Sequence, residues 1–379
     1  MTSEALKTIR LSILGSVSIL PLLILPAMVG ALIDHAAFGQ SEAGWVAAIG
    51  SAGSAFGAII IGIRIRHLDP RALAVVGLTV LAIADAASAL VAQMPVWLFL
   101  CIRAISGLGG AAAYASVMAT IAASPKPERG YGTFMVFQFG LSAFGLYVMP
   151  HMLPGAGVEG MYLALAIAAL LALSQTSVVL QRAVKIVDAA IELRALLKPA
   201  AILAMLGIGL YETANIMHFT YAERIGVGFG FALPEIGKIL AIATILGIPS
   251  AFSVVWLGDR FGQLGPIAIA LMLSVAALIW LLNPTGSMTY VTVMCALSIA
   301  WAFGLPYFHS FAARLDPGGS VVVAAGFFTA AGGALGPAIA ATLVGSNVYA
   351  NVLMFAIGVY GVVAVLMTMS RKLAAQRVA

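Results

Sequence analysis

The sequence predicts an all-α membrane protein of twelve transmembrane helices, arranged as two six-helix bundles related by pseudo-two-fold symmetry. Three observations carry that expectation. Of 379 residues, 62% are hydrophobic and only 9% are charged, against roughly 25% charged in a soluble domain. So few polar groups cannot cover a surface in water. The apolar residues form continuous runs of about 20, without the alternation of barrel strands. In hydrocarbon only helices or closed barrels pair every backbone polar group, so helices follow. Third, the halves repeat. Cys101 and Cys295 occupy matching places in the fourth and tenth runs, and the same offset pairs Arg66 with Arg260 after the second run of each half.

The first six spans are expected at about 11–33, 43–63, 72–92, 96–122, 132–152 and 161–181. The second six fall at about 200–222, 234–257, 265–282, 288–312, 320–343 and 347–369. The first run is longer than the apolar core of a signal peptide and reads as a span. Forty glycines and sixteen prolines fit membrane helices, which tolerate both. The most polar stretch, 181–199, carries Arg182, Lys185, Asp188, Glu192, Arg194 and Lys198. With Ile186, Ala190 and Leu193 on one side, it is expected to form an amphipathic surface helix. The expected organisation is therefore an N-terminal bundle over 1–181, a cytoplasmic linker over 182–199 and a C-terminal bundle over 200–379.

Lys and Arg set the orientation. With the N-terminus in the cytoplasm, all 19 of them except Arg103, Arg224 and Lys238 lie on the inner side. The positive-inside rule then places both termini in the cytoplasm, in the inner (plasma) membrane. A formal charge of +5 dispersed over short loops forms no nucleic-acid patch. Both cysteines lie in apolar runs and imply no disulfide framework. Trp45, Trp97 and Tyr290, near outer ends, read as interfacial anchors, and Gln138 and Gln175 as interhelical hydrogen-bond formers.

Three motifs stand out. Arg103 lies inside the fourth span and shares one helix face with Gly107, Gly110 and Tyr114. The loop after span eight reads Leu257-Gly258-Asp259-Arg260-Phe261-Gly262, a turn whose Asp and Arg can pair with neighbouring helix ends. Its counterpart from Gly62 to Arg71 keeps basic residues and lacks the acid. Span eleven carries Gly332-x-x-x-Gly336-Pro337. With twelve spans and the repeat, the chain resembles the major facilitator superfamily over nearly its whole length. The 257–262 loop is similar to that family's cytoplasmic signature. Arg103 to Gly110 is similar to its fourth-helix motif, associated with proton coupling. The Gly336-Pro337 step looks like the glycine–proline motif of its antiporters, found there in the fifth helix; the fifth span here has only Gly140 and Gly145. The resemblance implies a secondary transporter whose halves rock around a midplane site, with spans one, four, seven and ten lining the cavity.

On that footing span seven is the richest. Tyr211, Glu212, Asn215 and His218 fall within about 120° of the helix circumference. Glu212 lies ~18 Å along the helix from Ala200, near the bilayer midplane. An ionisable residue there is a functional candidate, here a proton carrier; the bland reading is a hydrogen bond to a neighbouring helix. Arg103 has two candidate partners. Asp85 stands at similar depth, since both are nine residues from Met94 in the connecting turn; Asp34 is at the outer end of span one. Such a pair is either a static brace or a gate that opens on protonation or solute binding. Trp301 is a candidate for solute stacking, and His309 on a similar face reads as a packed histidine.

No phosphate-binding loop, metal-ligand cluster or catalytic triad occurs, so the expectation is a non-enzyme without cofactor or metal, not driven by ATP hydrolysis. The expected partners are a small-molecule solute, the proton and the lipid bilayer, with the chain a monomer. The mostly apolar cavity candidates suit export of a small amphipathic or hydrophobic compound. The alternatives are uptake of an organic anion clamped by Arg103 and a transport-inactive receptor or scaffold. A channel would need a ring of like groups along a pore, and none is seen.

Overall fold

Prolines and glycines decide where the long helices of this chain break. The computed structural model describes residues 3–64, 68–181, 192–345 and 349–376. In the first run the helix is interrupted twice, giving α1 (Ser3–Ser18), α2 (Leu20–Leu23) and α3 (Leu25–His35). Pro21 and Pro26 open α2 and α3. Each lacks the N–H that a continuous helix would donate four residues back, while its fixed φ suits a first helical turn. The expected unbroken span over 11–33 is therefore corrected to three linked segments.

Next come α4 (Gln40–Arg64), α5 (Pro70–Ser88), α6 (Val96–Ala122) and α7 (Pro127–Leu173). At 47 residues, α7 would extend ~70 Å, over twice the hydrocarbon thickness of about 30 Å. It is two helices meeting at Gly157, whose φ of 62° and ψ of −170° belong to a region open to glycine and strained for side chains. The expected sixth span reached 181; the helix instead ends at Leu173, followed by a short 3₁₀ turn over Thr176–Val178.

The remainder comprises α8 (Leu193–Leu196), α9 (Pro199–Thr220), α10 (Ala222–Gly228), α11 (Leu233–Leu257), α12 (Leu264–Leu282), α13 (Met288–Leu315), α14 (Ser320–Leu343) and α15 (Ala350–Ala375). Among the described residues ten helices are long and apolar enough to cross a membrane. Dividing α7 and adding the interrupted α1–α3 run is consistent with twelve crossings. Most of the expected linker helix, including Ile186 and Ala190, lies outside the described residues, as does Arg66; Leu193 opens the single turn α8.

The chain forms two compact units, Met1–Val187 with Leu233–Ala241, and Asp188–Ala232 with Ile242–Ala379. In the first, α6 packs along α4, α5 and α1, and α7 packs on α1 and α5. Without a hydrophobic drive between helices in lipid, small residues that admit close backbone approach supply the packing. A Cβ on Gly53 would strike the backbone of Ala104, and one on Gly107 would strike the carbonyl of Gly50. In the second unit α9 packs against α13, α14 and α15, and α12 against α13 and α15. Gly336 lets α14 approach so closely that an added Cβ would stand 2.9 Å from the Thr213 carbonyl oxygen.

Candidate functional site

In the first unit, α5 and α6 bring Asp85 and Arg103 together. Arg103 Nη1 donates to Asp85 Oδ1 at 2.8 Å and to Ser88 Oγ at 3.0 Å, while Nη2 donates to Ser106 Oγ at 2.6 Å. Ser106 Oγ donates in turn to Asp85 Oδ1 at 2.9 Å. The guanidinium carbon stands 5.0 Å from the centre of the Tyr162 ring in α7. With exposures of 3% and 1%, the pair is fully buried, and its geometry meets the requirement for a charge pair in lipid: opposite charge plus hydrogen bonds to the remaining polar atoms. Asp34, the second candidate partner, is exposed at the end of α3, and no bond links it to Arg103.

Sequence reasoning passed over Ser88, Ser106 and Tyr162. Two signals were present, because Ser88 follows Asp85 by three residues and Ser106 follows Arg103 by three, spacings that share a helix face. Tyr162 comes from a distant segment and left no local trace. Beside this network lies a small cavity of about 40 Å³, lined mainly by α1–α3, α4 and α6. Arg103, Ser106, Gly107 and Gly110 reach its wall, as do Ser51 and Ser54, among mainly apolar side chains. The Ser51 hydroxyl is buried and has no hydrogen-bond partner. Tyr114, on the same face of α6, packs edge-on against Phe134 of α7, with ring centres 5.8 Å apart.

In the second unit, the predicted face of α9 is buried throughout: Tyr211, Glu212, Asn215 and His218 are all below one-tenth exposed. Trp301 Nε1 on α13 donates to Glu212 Oε2 at 3.0 Å. Tyr211 donates to the Ala300 carbonyl at 3.2 Å and stacks on Phe308 with ring centres 4.3 Å apart. Asn215 Nδ2 donates back to the Tyr211 carbonyl at 3.1 Å. His218 Nε2 meets the Tyr360 hydroxyl of α15 at 3.4 Å. Gly332 places α14 directly over this stretch, for its added Cβ would lie 3.0 Å from Glu212 Cβ. His309 is packed between the Leu305 carbonyl, at 3.1 Å, and Thr329 Oγ1, at 3.4 Å.

One placement differs from expectation. Tyr290 is no interfacial anchor: it is buried, donates to the Ala222 carbonyl at 2.9 Å and packs near Phe229 and Phe231. Arg224 belongs to a buried pair with its neighbour, Nη2 lying 2.7 Å from Glu223 Oε1. Gln175 does join helices, accepting from Arg10 Nε at 2.7 Å; Trp45 and Trp97 are exposed.

With this geometry in view, the family model described as Major Facilitator Superfamily matches residues 11–341. The chain belongs to the major facilitator superfamily. It is accordingly a multi-pass membrane transporter of small solutes and not an enzyme. Solved structures of other members share its fold at low identity. A single-residue variant of the nucleoside transporter NupG is 15% identical, with a TM-score of 0.79 over 96% of this chain and 99% of that one. A D-xylose-proton symporter is 14% identical, with a TM-score of 0.75 over 98% and 97%. A variant of the peptide transporter POT is 13% identical, with a TM-score of 0.74 over 98% and 95%. A comparison with curated proteins gave no match.

In this major facilitator the 257–262 turn depends on Gly258 and Gly262, with φ of 49° and 64°, where side chains are disfavoured. Asp259 is thereby set to form an ion pair with Arg314 in the last turn of α13, and it accepts from Gln263 Nε2 at 3.0 Å. Arg260 is exposed. Both partners of the Asp259–Arg314 pair are more than half exposed, so its strength is modest. Gly336 serves the close α9–α14 contact, and Pro337 beside it is buried within α14.

Proposed function

We propose that this major facilitator couples solute movement to the proton, with Glu212 as the group that carries it. The observation that supports this is the Glu212 carboxyl itself: 7% exposed, within a long apolar helix, and held, among the described residues, by a single neutral donor, the Trp301 indole. An ionisable side chain at such depth is costly unless it serves a pathway or relay. A neutral carboxylic acid is tolerated there, and the charged form needs a companion. A cycle that adds and removes one proton at this atom supplies both states.

The solute we propose is a small amphipathic organic compound moving outward, met by aromatic and apolar side chains with few polar groups. The setting is the inner (plasma) membrane with both termini cytoplasmic, as the Lys and Arg distribution supports. Uptake of an organic anion on Arg103 draws less support, because both terminal nitrogens of that guanidinium are taken by Asp85, Ser88 and Ser106.

The test uses proteoliposomes carrying a solute first identified by thermal-shift screening. Glu212→Gln should abolish uphill movement driven by a pH gradient while leaving solute exchange at equal concentrations measurable. Unchanged uphill movement in this variant would remove Glu212 from the coupling step.

A further inference from the structure

We propose that the small cavity of the first unit is an internal water site. Ordered water there joins the Ser51 hydroxyl of α4 to the break between α1 and α2 and to the edge of the Arg103 network. The case starts from Ser51. It is 4% exposed, it lines the cavity, and its hydroxyl meets no hydrogen-bond partner among the described residues. A buried hydroxyl left in that state costs free energy, and in folded proteins ordered water commonly satisfies such groups.

The cavity has the size and the wall that water requires. At about 40 Å³ it holds about three waters at most, since each needs roughly 10–15 Å³. An organic solute needs a pocket of about 300 Å³ or more, so this volume excludes one. A water also needs several polar partners. Ser54 Oγ donates to the Gly50 and Gly107 carbonyls at 3.3 and 3.2 Å and keeps its lone pairs for accepting. Arg103 carries more N–H donors than Asp85, Ser88 and Ser106 engage.

The broken first span adds backbone groups. The Leu22 N–H donates to the Ile19 carbonyl at 2.9 Å, where a continuous α-helix would give it the carbonyl of Ser18. Pro21 has no N–H to offer. Gly110 of α6 leaves space at the Ser18 carbonyl, for an added Cβ would strike that oxygen. Ser18, Pro21, Leu22 and Gly110 all line the cavity. Prolines are tolerated in membrane helices where ordered water takes up the freed backbone groups, and water entering a helical ladder is a known cause of kinks. The Asp85 and Arg103 charges still balance each other. The water serves the hydroxyl and the backbone, so that α1 and α2 meet over a wet break.

The experiment uses the purified full chain in nanodiscs and microsecond X-ray pulses, which make hydroxyl radicals from water and oxidise side chains that touch it even when buried. Met28 of α3 lines the cavity and is 6% exposed. Met161 and Met367 are 1% and 0% exposed and do not line it. Met28 should oxidise at least tenfold faster than either, and Ala47→Leu, which fills the cavity, should remove most of that excess. Ser51→Ala should lower the melting temperature, because a water loses a partner; in a dry cavity, deleting a lone hydroxyl leaves it unchanged or raises it. Should Ala47→Leu fail to elute as the native protein, Ser51→Ala and the Met28 rate decide. Oxidation of Met28 no faster than the two controls, or a melting temperature unchanged or raised by Ser51→Ala, overturns the proposal. So does rapid reaction of Ser51→Cys with a charged methanethiosulfonate, in a chain whose Cys101 and Cys295 are replaced by serine, since that would make the cavity a crevice open to bulk solvent.

Discussion

Asp85 and Glu212 are both carboxylic acids buried in long apolar helices, one in each compact unit, yet their surroundings differ. Asp85 accepts from Arg103 and Ser106 and sits in a network that also draws in Ser88 and, through the ring beneath the guanidinium, Tyr162. Among the described residues Glu212 has one neutral donor. A closed network holds both charges and has no need of an outside ligand; a carboxyl with a single donor is poised to exchange what it holds. Burial of an acid in a transporter thus says little by itself, and the number and charge of its partners says more.

That contrast can be tested from its largest consequence to its smallest. Asp85→Asn leaves the Arg103 charge buried without its counter-ion and should destabilise the chain by about 3–5 kcal/mol, seen as a lower melting temperature in detergent. The double variant Asp85→Leu with Arg103→Met should regain most of that loss, since an apolar pair of similar volume removes both desolvation penalties. If the double variant also transports, the pair is a brace; if it melts normally and fails to transport, the pair takes part in the cycle.

Next in size are the glycine contacts that support each site. Gly107→Ala and Gly336→Ala should each cost ~1–3 kcal/mol, because the added methyl meets backbone atoms that cannot turn aside, those of Gly50 and Ser54 for the first and of Thr213 and Met217 for the second. Loss of stability in only one of the two would show that its helix pair can slide. Glu212→Gln should change stability by less than ~1 kcal/mol, since the amide oxygen still accepts from Trp301; a loss as large as that of Asp85→Asn would make Glu212 structural and erase the contrast. The smallest effect is expected for Arg314→Ala, about 0.2–1 kcal/mol for an exposed pair. A change in transport rate well beyond that of melting would reveal the Asp259–Arg314 contact as a conformational latch.

Much of both sites is legible in the sequence. Asp85 and Arg103 were matched by equal distance from the Met94 turn, and helical rise turns that into equal depth. The α9 face followed from 100° per residue. The serines around Arg103 were harder to see, because serine in an apolar helix commonly bonds to its own backbone, as Ser116 does to Ala112. Pro21 and Pro26 were visible in the first run, but continuity of hydropathy masked the breaks they impose. Tyr290 looked interfacial by position, and only the fold of α10 against α13 shows the carbonyl that draws its hydroxyl inward.

Composition, run length and charge distribution determined that this chain lives in a membrane, that it is helical, and which side chains must answer for charge in hydrocarbon. Those are local consequences of the cost of polar groups in lipid, and they need no neighbour. Which acid meets a cation and which meets an indole among the described residues was decided by tertiary structure. A partner's identity depends on how helices distant in sequence are rotated and how closely their glycines let them approach, and neither is written in any single span.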